Sequence, residues 1–149
     1  MASIRRTWIL FVLALLLPAF GTAGNDRVAN FSFGEHGTKR YEHFSFWIHE
    51  NSKTEIIYTY GIHRKKMKLR PLKTAHPERA SSFKVRFPEG YVLVITPKES
   101  TLLVAQSSGR HAKTFQWAYE GPVNGVGAAC PACVDQAEAA KFVKDNFLK

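Results

Sequence analysis

The sequence predicts a mainly β (α+β) fold: an antiparallel meander of about eight strands, strongly curved or barrel-like, with one C-terminal helix packed on it. Three observations carry this reading. Short segments rich in aromatic and β-branched residues follow one another between Val28 and Tyr119, separated by Gly, Pro, Asn and Ser clusters at the spacing of antiparallel sheet. The links between them are short, so neighbours in sequence pair. Beyond the last of these segments the pattern changes to apolar and small residues at helical spacing.

The N-terminus stands apart. Arg5-Arg6 precedes an apolar run at 8–17, Pro18 breaks that run, and the small residues Gly21 and Ala23 follow. A positive start, a short apolar core and small residues before the cut form the pattern of a secretory signal peptide. The run falls short of the ~20 residues that span a bilayer. Residues 1–23 therefore read as a cleaved signal peptide and 24–149 as one exported domain, with no transmembrane segment in the mature chain. The brevity of the leader favours a bacterial periplasm over an extracellular destination. Cleavage removes Arg5, Arg6 and no acid, so the mature chain stays strongly basic, two charges below the +9 of the full chain. Such a charge keeps a protein soluble and draws it to anionic molecules and surfaces.

The predicted strands are 28–33, 41–50, 54–63, 66–72, 82–87, 91–96, 102–107 and 113–119. Glu50-Asn51-Ser52-Lys53, Pro88-Glu89-Gly90, Pro97-Lys98-Glu99-Ser100 and Ser108-Gly109-Arg110 supply turn residues between them. With Asn51-Ser52 as the tip of the hairpin, Trp47 faces Ile56 and Ser45 faces Tyr58. One side then carries His43, Ser45, Trp47, His49, Ile56, Tyr58, Tyr60 and Ile62, and the other Phe44, Phe46, Ile48, Ile57 and Thr59. Both sides are largely apolar, so this hairpin is covered twice, or one side lines a cavity. Trp47, Ile56, Tyr58 and Tyr60 are on that basis the candidate ligand-binding face for a small molecule. Tyr91-Val92-Leu93-Val94-Ile95 is another continuous apolar run, whereas Phe83, Lys84, Val85, Arg86 and Phe87 alternate, with Phe83, Val85 and Phe87 inward and the two cations outward.

Residues 121–129 read as a Gly-rich linker and 131–148 as the helix. Pro131 suits a first helical turn, where its missing N–H costs nothing. Asp135 and Glu138 lie early and Lys141 and Lys144 late, as the helix dipole favours. Cys133, Ala137, Ala140, Val143 and Phe147 form the expected packing stripe.

Cys130-Pro131-Ala132-Cys133 contains the only two cysteines. Export favours a structural disulfide that pins the linker to the helix. The alternative is a redox pair whose thiolate is stabilised by a helix N-terminus. Over these four residues the motif resembles the active site of thioredoxin-like oxidoreductases, which implies thiol–disulfide exchange. That family, however, places its motif after a first strand, and here it follows all the strands. Val134 stands where covalent haem attachment needs His, and a zinc site lacks its second pair of ligands, so no cofactor and no metal are expected.

The six histidines, His36, His43, His49, His63, His76 and His111, are spaced too widely to chelate together, and Ser45 beside His43 lacks a nucleophile turn. Glu50 and Glu55 flank a turn and read as solvated. Asn30-Phe31-Ser32 matches a glycosylation sequon, although Phe31 reads as core. The densest charge cluster places Arg64, Lys66, Lys68 and Arg70 on one side of a strand. Such a ridge suits phosphate, sulfated glycan or anionic lipid; equally, it protects a sheet edge. Export argues against a nucleic-acid partner. The expected function is a small exported, non-catalytic binding domain for an anionic or amphipathic ligand, with a thiol–disulfide redox protein acting through Cys130 and Cys133 as the alternative. Nothing in the sequence specifies an oligomeric state.

Overall fold

Eight strands in chain order pair with their sequence neighbours and close on themselves as an antiparallel barrel, followed by one helix. They are β1 (Arg27–Phe33), β2 (Glu42–Ile48), β3 (Thr54–Tyr60), β4 (Lys65–Pro71), β5 (Phe83–Arg86), β6 (Val92–Lys98), β7 (Thr101–Gln106) and β8 (Lys113–Trp117), with the helix α1 at Gln136–Phe147. The computed structural model describes residues 25–119 and 130–149. The signal peptide expected at 1–23 and the linker expected at 121–129 lie outside the described residues.

Closure follows from the alternation in the strands. Phe31, Phe44, Phe46, Ile56, Leu69, Phe83, Val85, Ile95, Leu102, Val104 and Phe115 all point inward and are buried. Cations at 66, 68, 70, 84 and 86 fall on the opposite side of their strands and are exposed. Two seams are short: β1 meets β8 through Phe31↔Trp117 and Ser32↔Gln116, and β4 meets β5 through Arg70↔Arg86 and Pro71↔Val85.

The interior is filled rather than hollow. Phe46 lies within ring contact of Phe31, Phe44, Phe83 and Phe147, at centroid distances of 6.1, 6.0, 6.3 and 5.2 Å. Phe147 belongs to α1, which closes the rim where β1 and β3 begin. Ala139, Phe142, Val143, Phe147 and Leu148 join the same core cluster. At the other rim Tyr60 stacks on Tyr58 at 5.6 Å and Phe87 on Tyr91 at 4.2 Å, and Tyr58 meets Phe87 edge-on at 5.2 Å. Burial pushes the Tyr58 phenol well above its ordinary 10.0, and the charge of Glu42 adds to this.

Two expectations need correction. The β2–β3 pairing sets Phe46 opposite Ile56 and Phe44 opposite Tyr58, one residue away from the predicted register. The cause is the turn. His49 N–H donates to Lys53 O at 2.9 Å, which leaves three residues in the loop, and Ser52 takes φ +61°. This is a three-residue hairpin loop whose last residue is left-handed. A slip of one residue moves a whole set of side chains to the other face.

The helix also begins later, at Gln136 rather than in the Pro131 turn. Cys133 instead forms a parallel bridge with Val28: Val28 N–H donates to Ala132 O and Val134 N–H to Val28 O, at 2.7 and 2.8 Å. That short extension along β1 consumes the residues expected to start the helix. The buried stripe is Ala139, Ala140, Phe142, Val143 and Phe147, and Ala137 is exposed.

Candidate functional site

The corrected register divides the predicted ligand face. Ile56, Tyr58 and Tyr60 lie on the interior side with Phe44 and Phe46, and Ile56 is fully buried. Trp47 lies outside, opposite Val28 and Glu55. The four residues therefore do not line one cavity.

The outer face of β1–β4 gathers residues from every predicted set except the tyrosines. Asn30, Ser45 and Ile57 form one cross-strand row, and Ser32, His43, Thr59 and Lys66 form the next. Polar groups on this face are buried: Asn30, His43, Ser45 and Thr59 are 5%, 1%, 9% and 3% exposed. The Cys130–Cys133 disulfide, with its sulfurs 2.11 Å apart, lies against them. Asn30 Nδ2 donates toward Cys133 Sγ at 3.8 Å. Asn30 is thus enclosed and engaged in the folded chain, which closes the sequon to modification after folding.

The buried polar groups form one network. With Nδ2 turned to the sulfur, Asn30 Oδ1 faces His43 Nε2 at 3.3 Å. Ser45 Oγ lies 3.0 Å from the same nitrogen, and the Tyr41 hydroxyl lies 3.3 Å from the opposite one, Nδ1. His43 is thus held at both ring nitrogens by neighbouring polar side chains.

A second cluster lies at the hairpin end of the same face. His49 Nδ1 is 3.1 Å from Asp26 Oδ2, and Nε2 is 3.3 Å from Glu55 Oε2. Glu55, expected to be solvated, also pairs with Lys68 at 2.6 Å. Asp26 accepts from Glu50 N–H at 2.8 Å. The Asp26 hydrogen bond holds the His49 proton above its ordinary 6.5. The His49 hydrogen bond lowers the Asp26 carboxyl from 3.8, and the Lys68 contact lowers Glu55 from 4.5. The two carboxylates grip opposite nitrogens of the ring, so they do not converge on a common metal position. The ring of Trp47 stacks on His49, with centroids 5.9 Å apart and planes 4° apart.

These groups border a cleft of about 420 Å³ that includes Asn30, Ser45, Trp47, Thr59, Lys66 and Cys130. A smaller cleft of about 290 Å³ lies at the helix rim over Ile56, Leu69 and Phe147, flanked by Lys68 and Arg70.

The predicted basic ridge is present in part. Lys66, Lys68 and Arg70 alternate along the outside of β4, while Arg64 lies in the preceding turn with φ +48° and borders the larger cleft. The ridge continues onto β5, where Arg86 stands directly opposite Arg70 and Lys84 points the same way. Among the described residues Lys66, Arg70, Lys84 and Arg86 have no acidic partner within ion-pair distance. Sequence reasoning paired neighbouring strands and placed Lys84 and Arg86 outward, but it assigned no register between β4 and β5, so the five cations were not joined. The disulfide lacks the helix N-terminus that the redox reading requires, because Cys133 lies outside α1. Among the described residues no helix is long and apolar enough to cross a membrane. Comparison with protein-family models, curated proteins and solved structures finds no match to this chain.

Proposed function

We propose that this chain is an exported, periplasmic binding domain without catalysis, and that an anionic ligand or surface docks on the outside of β4 and β5. The observation that carries the reading is the Arg70–Arg86 pair. Like charges set directly opposite on neighbouring strands destabilise a sheet. Here two arginines face each other at a short seam, flanked by Lys66, Lys68 and Lys84 on the same face. An edge strand charged to deter aggregation explains a ridge on one strand. It does not explain this pair, because β4 is paired on both sides and the barrel has no edge. An anion bridging the two guanidiniums relieves the repulsion and gains charge-assisted hydrogen bonds. Cations two residues apart on a strand are ~6.6 Å apart, which gives a linear polyanion several contacts in register.

Heparin, as a sulfated polyanion probe, is expected to bind with an affinity that falls steeply as NaCl rises from 50 to 300 mM. The double variant Arg70→Gln/Arg86→Gln is expected to lose at least tenfold in affinity and to gain thermal stability. Binding that ignores salt, or that the double variant leaves unchanged, contradicts the assignment.

A further inference from the structure

A cleft of about 420 Å³ lies beside the basic strip, on the outside of β1–β4. Its volume falls in the ~300–1,000 Å³ range of small-molecule sites. What marks it is its floor. Thr59 is 3% exposed, borders the cleft, and has no side-chain hydrogen bond among the described residues. That hydroxyl is not sealed from solvent, so it opens to the cleft and is available to donate to or accept from a bound polar group. Asn30 turns its amide nitrogen to a sulfur, a weak acceptor, at 3.8 Å and keeps a second N–H. Ser45 retains hydrogen-bonding capacity beyond its contact with His43.

The walls are unlike one another. Trp47 supplies an aromatic surface at one end. Lys66, opposite Thr59 in the β3–β4 register and without an acidic partner among the described residues, supplies positive charge at the other. The acids of this cleft are already engaged: Asp26 by His49 and the Glu50 amide, Glu55 by His49 and Lys68. The uncompensated charge is therefore positive and lies at the Thr59 end. From Thr59 to Glu55 along β3 is about 13 Å at ~3.3 Å per residue, enough for one sugar ring with a charged substituent.

We propose that this cleft binds a monosaccharide-sized polyhydroxylated anion. Its carboxylate or phosphate sits at Lys66 and Thr59, its hydroxyls on Ser45 and Asn30, and its ring against Trp47. The proposal does not rest on the polyanion strip, although Lys66 borders both.

The test uses the mature oxidised protein and isothermal titration calorimetry with D-glucuronate and D-glucose 6-phosphate, against D-glucose, acetate and inorganic phosphate. At least one of the two sugar anions is expected to saturate a single site, about tenfold or more tighter than all three controls, and which one binds identifies the anionic group. Thr59→Val and Trp47→Ala, checked for native circular dichroism, are each expected to weaken that binding about tenfold, since each removes one buried contact. Arg86→Gln lies outside the cleft and is expected to leave it unchanged. The proposal is overturned if neither sugar anion saturates, if a control binds equally well, or if both cleft variants bind as the parent does. It is also overturned if Arg86→Gln abolishes binding, which would transfer the signal to the β4–β5 strip.

Discussion

His49 is the residue at which local chemistry is most sensitive to conditions. It ties the segment before β1, through Asp26, to β3, through Glu55, and Lys68 of β4 faces the same carboxylate. Its proton is held above 6.5, so its contribution to stability is complete below 6.5 and is lost as pH rises through the raised folded value. Asp26 and Glu55 are lowered from 3.8 and 4.5, so their contributions are complete above those values and are lost as pH falls through the lower folded ones. The cluster therefore stabilises most between about pH 5 and 6. The expected outcome is a fall in Tm between pH 6 and pH 8 that is smaller in His49→Gln, and that shrinks as salt screens these half-exposed groups. Equal falls in both proteins contradict the assignment. None of this cluster was legible in the sequence: Asp26 is 23 residues from His49, and no local pattern joins them.

At the scale of elements, all eight strands were legible because each alternates or runs continuously apolar. Phe83-Lys84-Val85-Arg86-Phe87 is the plainest case, with Phe83, Val85 and Phe87 buried and the two cations exposed. Register was not legible. Asn51-Ser52 reads as a two-residue tip, yet the chain uses three residues and puts Ser52 in the left-handed region, where glycine or asparagine is the usual signal. The error grouped Trp47 with Ile56, Tyr58 and Tyr60 and hid the outer face that Asn30, Ser45 and Thr59 share. The polar residues in these otherwise apolar strands were visible in the sequence, and they mark the face on which the cleft lies.

The late helix start had a signal as well. Asp135 is the N-cap and Glu138 follows three residues later, the spacing of a capping box. Pro131 drew the boundary forward instead. A left-handed Ser52 costs roughly 1 kcal/mol, so Ser52→Gly is expected to stabilise the protein by about 0.5–1 kcal/mol in urea unfolding without changing the fold. A destabilisation by that substitution contradicts the turn geometry on which the corrected register depends.

Over the whole molecule, the decisive fact is that the barrel spends its interior on packing. Phe31, Phe44, Phe46 and Phe115 fill it, and Phe147 of α1 packs on Phe46 at one rim. Large apolar side chains face inward and the cations at 66, 68, 70, 84 and 86 outward, while Glu42 and Lys113 pair on the inward side near one rim. The proposed ligand is left the outer surface, where among the described residues Lys66, Arg70, Lys84 and Arg86 of β4 and β5 have no acidic partner within ion-pair distance. The most direct test is amide chemical-shift mapping by NMR during titration with a heparin oligosaccharide. The account predicts shifts confined to 65–71, 83–86 and their immediate neighbours. Shifts centred on Phe31, Phe44, Phe46 and Phe115, or the absence of any at Arg70 and Arg86, would contradict it.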